Sequence, residues 1–180
     1  MMTTKTETMT AKLMTGTQVP ELEVKTLAGK LWKISEQKPQ NLTMIVFYRG
    51  VFCPICHSYL AEIDRLLGDF KQLGVEVIAL SGDSQEAAKQ SKDEWGIQNL
   101  AIGYEASLEF MRSWGLYISK GAFENEPSLF CEPGLFLVKP DGILFYAAVN
   151  SGPFGRPPIS EMLSSIEFVL KKNYPIRGTE

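Results

Sequence analysis

The feature that most limits what this chain can fold into is a handover. A near-continuous apolar run, Leu42 to Tyr48, passes through a short connection to Cys53-Pro54-Ile55-Cys56 and then into a long helical pattern. A run of that composition fits a central strand buried on both faces. Ile55, Tyr59, Leu60, Ile63, Leu66, Leu67 and Phe70 then recur at helical spacing, and Gly74 closes the pattern. Val75 to Leu80 reads as a second strand. Two strands joined through a helix require a right-handed crossover and run parallel, so the core is α/β with a cysteine pair at its strand-to-helix junction.

The rest of the chain fills in around that unit. Val19 onward alternates apolar positions around Ala28-Gly29, which predicts an N-terminal hairpin. Asp83 and Glu86 have the spacing of a capping box for a helix running to Trp95, and a further helix is expected from Ser107 to Trp114. Leu135–Val138 and Ile143–Val149 flank Lys139-Pro140-Asp141-Gly142, a turn sequence between antiparallel strands. A last helix carries Ile159, Met162, Leu163, Ile166, Val169 and Leu170 as its apolar stripe. Residues 1–17 read as a polar tail unless a neighbour orders them, and residues 18–180 as one domain.

The position of the dithiol dictates its chemistry. Unpaired N–H groups and the positive end of the helix dipole stabilise a thiolate at a helix N-terminus, and Pro54 suits the first turn because its missing donor is not needed there. Cys53 is therefore the candidate nucleophile. Cys56, one turn further in, is the candidate resolving thiol, less acidic and less accessible.

Composition sets the compartment and excludes other classes. With 18 Lys plus Arg against 21 Asp plus Glu, a net charge of -3 and no long block of one sign, the footprint of a nucleic-acid binder is missing. No apolar run has the length of a signal peptide core or a membrane helix, so a cytoplasmic protein with no membrane partner is expected. Three cysteines are too few and too odd in number for a secreted disulfide scaffold, which leaves reactivity as their use. No cofactor and no metal are expected.

At this point a resemblance carries further. The segment VFYRGVFCPICHSYLAEI resembles the active-site region of the thioredoxin-like superfamily, specifically its peroxiredoxin-like (redoxin, AhpC/TSA-type) members. The segment from Glu132-Pro133 to Asp141-Gly142 is similar to the one that carries the superfamily's cis-proline and following hairpin. The resemblance spans about Val19 to Tyr174. It implies a thioredoxin fold, a central mixed sheet flanked by helices, with an N-terminal β-hairpin and an inserted strand and helix. It also implies a thioredoxin- or glutathione-type reductant, and dimerisation is a family-level expectation.

The same resemblance shows departures. Peroxidase sites carry a proline and a threonine upstream of the reactive cysteine, where this chain has Val46 and Gly50, and an arginine where it has Pro133. A cis-proline would leave a backbone edge for a peptide disulfide. The leading expectation is therefore thiol–disulfide exchange, with Cys53 attacking a protein or small-molecule disulfide and Cys56 resolving the mixed disulfide. A thiol-dependent peroxidase with Cys53 as the peroxidatic residue is the alternative, and a non-enzymatic metal- or haem-binding module a third.

Four supporting residues complete the candidate list. His57 makes the segment CPICH, which formally matches a haem attachment motif, and it lies one turn from Cys53, where it could tune the thiol. Cys131, just before Pro133, could be an auxiliary thiol or a buried free cysteine. Arg156, in the Gly/Pro-rich loop after the hairpin, should return to the dithiol side and supply positive charge, with Arg49 as a nearer second source. The aromatic stretch from Trp114 and Tyr117 through Phe123 and Phe130 is either a cleft wall or core.

Overall fold

A computed structural model describes residues 13–180. The first twelve residues of the expected tail lie outside the described part. Residues from Leu13 onward lie against the last hairpin: Gly16 N–H donates to Leu144 O at 2.8 Å and Leu144 N–H to Thr17 O at 2.9 Å.

The apolar run forms β3 (Leu42–Phe47), after a hairpin of β1 (Glu23–Thr26) and β2 (Leu31–Lys33). α1 (Pro54–Gln72) leads to β4 (Val75–Leu80), α2 (Gln85–Glu94), β5 (Ala101–Tyr104) and α3 (Leu108–Ser113). Two short strands follow, β6 (Ile118–Lys120) and β7 (Leu129–Cys131), and then the hairpin β8 (Gly134–Val138) and β9 (Leu144–Val149) and the last helix, α4 (Ile159–Lys172). Seven strands make one sheet in the order β2-β1-β5-β4-β3-β8-β9. β3, β4 and β5 are parallel, β8 pairs antiparallel with β3, and β6 and β7 form a separate two-stranded arm.

The pleat explains why β3 has no polar face. Met44 and Val46 join a cluster with Cys56, Leu60, Ile63 and Phe70 of α1 and Ile159, Met162 and Ile166 of α4. Ile45 and Phe47 point the other way, into a cluster with Met111 and Trp114. A strand with a hydrophobic layer on each side must be apolar at every position. Phe47, Trp114 and Phe136 meet as an aromatic triple, the Phe47–Phe136 and Trp114–Phe136 pairs edge-on with centroids 5.8 and 5.0 Å apart.

Two expectations about local structure are corrected. Asp83 does not cap α2: the cap is Ser84, whose hydroxyl accepts from Ala87 N–H at 3.2 Å. The Asp83 carboxylate instead accepts from Val51 N–H at 2.9 Å, in the loop just before the dithiol. Nor is Pro133 a cis-proline, since no described peptide bond is cis. The backbone around it is already engaged, with Glu132 N–H donating to Tyr117 O at 2.8 Å and Pro133 O accepting from Asn150 N–H at 2.9 Å. The docking edge expected there is occupied by the β6–β7 arm and by the end of β9.

Candidate active site

The chain leaves β3 through Tyr48, whose N–H continues the parallel pairing to Leu80 O at 3.0 Å. It then turns sharply at Gly50, where φ is +143°, a left-handed region that favours glycine. A Cβ there would stand 2.7 Å from an Asp83 carboxylate oxygen and 2.9 Å from the Phe52 ring. Gly50→Ala is therefore expected to destabilise the fold by about 1–3 kcal/mol, read as a lower urea midpoint at unchanged slope. An unchanged midpoint would show that the loop yields without cost.

The turn delivers Cys53 to the N-cap of α1 with Pro54 in the first turn, as the sequence predicts. Its sulfur takes the place of a capping oxygen, accepting from Cys56 N–H at 3.3 Å. The Cys56 sulfur is 2.7 Å away, and both residues are free thiols. Two guanidinium groups complete the surroundings. Arg49 Nη1 lies 3.9 Å and Arg156 Nη2 3.8 Å from the Cys53 sulfur, and Arg156 Nη2 lies 3.0 Å from that of Cys56.

These contacts separate the two thiols. The Cys56 thiol, donating to Cys53, is the largest influence in bringing the Cys53 pKa down to about 5; burial opposes it, and the Cys56 backbone N–H, Arg49 and Arg156 assist. Burial, then the hydrogen bond to Cys53, pushes the Cys56 thiol well above the ordinary cysteine range. These influences favour a thiolate on Cys53 with the proton kept on Cys56.

The expectation that Cys53 is the accessible thiol of the pair is corrected. Cys53 is only 1% exposed, because one arginine reaches it from the loop after β3 and the other from the loop after β9. The setting is buried but not apolar, and the sulfur is not open to a peptide laid across it.

The two arginines are held differently. Arg49 sits between Glu132 Oε2 at 3.1 Å and Glu126 Oε1 at 3.5 Å, with its guanidinium carbon 5.3 and 4.8 Å from the Phe52 and Phe130 ring centres. Glu132 also accepts from the Ser119 hydroxyl at 2.6 Å, and Glu126 from Ala122 N–H at 2.8 Å. Arg156 has no carboxylate within ion-pairing distance among the described residues. It is positioned by Pro153 O, which accepts from its Nε at 3.1 Å, and by the Tyr59 ring, 5.1 Å from its guanidinium carbon. Tyr59 in turn donates to Pro157 O at 2.7 Å.

The remaining candidates stand apart. His57 is exposed and stacks on Trp95, centroids 5.5 Å apart and planes 9° from parallel. Cys131 is fully buried in the cluster on the opposite side of the sheet, its sulfur 3.5 Å from Tyr48 O, and burial, with Glu132 beside it, pushes its thiol up to about 12. The aromatic stretch divides: Trp114 and Phe130 are core, whereas Tyr117 and Phe123 are exposed. Sequence reasoning gave Glu126 and Glu132 no part in the site and Asp83 only a capping role. Among the described residues no group of three or more potential ligating side chains is gathered for a metal, and no helix is long and apolar enough to cross a membrane.

The model of the AhpC/TSA family matches residues 15–147, most of the chain. The chain belongs to the AhpC/TSA family. An alkyl hydroperoxide reductase C of Amphibacillus xylanus is 26% identical over 118 residues, covering 63% of this chain and 58% of that protein. A selenocysteine-containing peroxiredoxin of Peptoclostridium acidaminophilum is 28% identical over 168 residues, covering 84% of this chain and 75% of its own length. The solved structure of peroxiredoxin 6 from Arenicola marina superimposes with a TM-score of 0.74 at 21% identity, covering 90% of this chain and 76% of that one. The thioredoxin-like, peroxiredoxin-like fold implied by the sequence is thereby shown. Where the resemblance leads to an arginine this chain has Pro133, and Arg156 comes to the sulfur from the loop after β9.

Proposed function

We propose that this protein is a thiol-dependent peroxidase, with Cys53 as the peroxidatic and Cys56 as the resolving cysteine. The observation that carries this reading is the pair of guanidinium groups, within 4 Å of a buried Cys53 sulfur. Donors gathered at the sulfur stabilise charge as it develops on the leaving oxygen, which peroxide chemistry needs. The Cys53 thiolate attacks one peroxide oxygen, the O–O bond breaks, and the departing alkoxide or hydroxide takes up a proton. Cys53 is left as a sulfenic acid. The Cys56 sulfur then displaces that hydroxyl as water, forming the Cys53–Cys56 disulfide. An external dithiol or two monothiols of the thioredoxin or glutathione type return two electrons and two protons. AhpC/TSA membership and the peroxiredoxins among the relatives support the same assignment.

Thiol–disulfide exchange, favoured on sequence alone, survives as the second reading. The 2.7 Å sulfur–sulfur approach would resolve a mixed disulfide just as readily. A stoichiometric titration separates the two. One equivalent of hydrogen peroxide should consume both Cys53 and Cys56 thiols within seconds and leave Cys131 reduced. Loss of thiols only with an added disulfide such as oxidised glutathione, and none with peroxide over an hour, would replace peroxidase chemistry by exchange.

A further inference from the structure

A groove of about 470 Å³ runs between β9 and α4, walled by Phe145, Ala148, Met162, Ile166 and Val169, and Arg156 also lines it. The volume is in the range of small-molecule sites, roughly 300–1,000 Å³. Two observations single out Arg156 within it. Its Nη1 is buried with no hydrogen-bond partner among the described residues, and none of their carboxylates pairs with it. Among the described residues, the one anion that its guanidinium meets is the Cys53 thiolate, 3.8 Å from Nη2. Arg49, by contrast, already has Glu126 and Glu132.

We infer that this groove is a binding site for an amphipathic carboxylate, with the acyl chain along β9 and α4 and the head group on Arg156, and that it is occupied mainly in the Cys53–Cys56 disulfide state. The inference rests on the dithiol–disulfide interconversion of the proposed function, though not on peroxide being the oxidant. The apolar walls select a hydrocarbon body, and an unpaired guanidinium with a free donor selects a planar anion. While Cys53 is a thiolate, Arg156 is partly neutralised and a second anion nearby is repelled. Disulfide formation removes that negative charge and leaves the part-buried guanidinium without a counterion among the described residues. Glu161, also lining the groove, is exposed and its charge is screened by water, so it sets which end the head group avoids. Binding and redox state must affect each other equally: a carboxylate that prefers the disulfide form stabilises the disulfide by the same factor.

The test uses the full chain, oxidised with diamide, which takes up the two electrons and two protons released as the Cys53–Cys56 bond forms, or kept reduced. Decanoate is the probe, measured by calorimetry against decanol (the tail without the charge) and acetate (the charge without the tail). The expected result is decanoate binding at least tenfold tighter to the oxidised than to the reduced protein, with decanol and acetate each at least tenfold weaker. Saturating decanoate should then shift the dithiol–disulfide equilibrium against dithiothreitol at least tenfold towards the disulfide. Val169→Trp, which fills the groove near the far end of α4 from Arg156, should abolish decanoate binding while leaving the Cys53 titration in place, and Arg156→Gln should erase the advantage of decanoate over decanol. Equal binding to both redox forms, equal binding of decanol, or no binding of decanoate each overturns the inference. That last outcome includes the case in which a second copy of the chain covers β9. Failure of diamide to join Cys53 to Cys56 overturns the proposed function together with the inference, whereas a disulfide that forms normally without any decanoate preference overturns the inference alone.

Discussion

Replacing Cys56 with Ser should leave the first reaction with peroxide nearly intact and stop the cycle there. The serine hydroxyl still donates to Cys53, so the largest acidifying influence on that thiol is retained in kind. What disappears is the partner sulfur 2.7 Å away. A well-oriented intramolecular thiol acts at an effective concentration of 10⁵ M or more, roughly, so millimolar external thiol cannot replace it. Turnover with a dithiol reductant should fall at least about a hundredfold. Mass spectrometry should find Cys53 carrying one oxygen after one equivalent of peroxide and two after excess, because the sulfenic acid now waits for a second peroxide. Unchanged turnover would mean that resolution comes from elsewhere, and Cys131, the one other free thiol, is fully buried on the far side of the sheet.

What the sequence disclosed about this site is whatever depends on neighbours in the chain. The apolar β3 run, the helical stripe after it and Pro54 behind Cys53 are local patterns, and together they place the nucleophile at a helix N-cap. Arg156 was reachable by a topological step, since a hairpin strand ends at the edge where its partner began. The rest depends on contacts distant in sequence. Nothing near Arg49 announces Glu126 or Glu132, which reach it from the arm formed by β6 and β7, strands of three residues each and too short for periodicity to register. Asp83 followed a capping pattern, yet tertiary structure drew its carboxylate to Val51 N–H and left the cap to Ser84. Pro133 carried the superfamily's expected cis bond only by analogy, and the Tyr117 and Asn150 hydrogen bonds that occupy its backbone could not be read locally.

The two arginines should separate stability from acidity. Arg49→Gln strands Glu132, whose side chain is 4% exposed and is left with Ser119 as its hydrogen-bond partner. Breaking a buried ion pair by removing one member costs about 3–5 kcal/mol, mostly as the penalty of the uncompensated charge, and on the order of 10 °C in melting temperature at this chain length. Arg49→Gln with Glu132→Gln should recover the part of that loss due to Glu132, Glu126 keeping the Ala122 and Phe123 N–H donors; a double variant no more stable than the single would show that Arg49 acts by packing on Phe52 and Phe130 instead. Arg156→Gln strands no carboxylate, so its stability cost should be confined to the thiolate that it supports and should disappear as pH falls to about 5. Its effect falls on the thiolate. Arg156 acts on Cys53 after the Cys56 donors and Arg49, so removing its charge should raise the Cys53 value from about 5 by about 1 unit, the low end of what an opposite charge at this range does. The sign follows from which form reacts: the thiolate is present above the pKa and lost as pH falls through it. The acid limb of the peroxide reaction, near pH 5 in the parent, should therefore move upward in Arg156→Gln. Stability follows the same sign. A thiol more acidic in the fold than at its ordinary 9.0 contributes fully above that value and loses its contribution as pH falls towards 5, so the variant's pH-dependent window should narrow from the acid end. Thiolate absorbance near 240 nm, followed between about pH 4 and 9, reads the shift directly, and an unmoved midpoint would leave the Cys56 donors and Arg49 as the source of the low pKa.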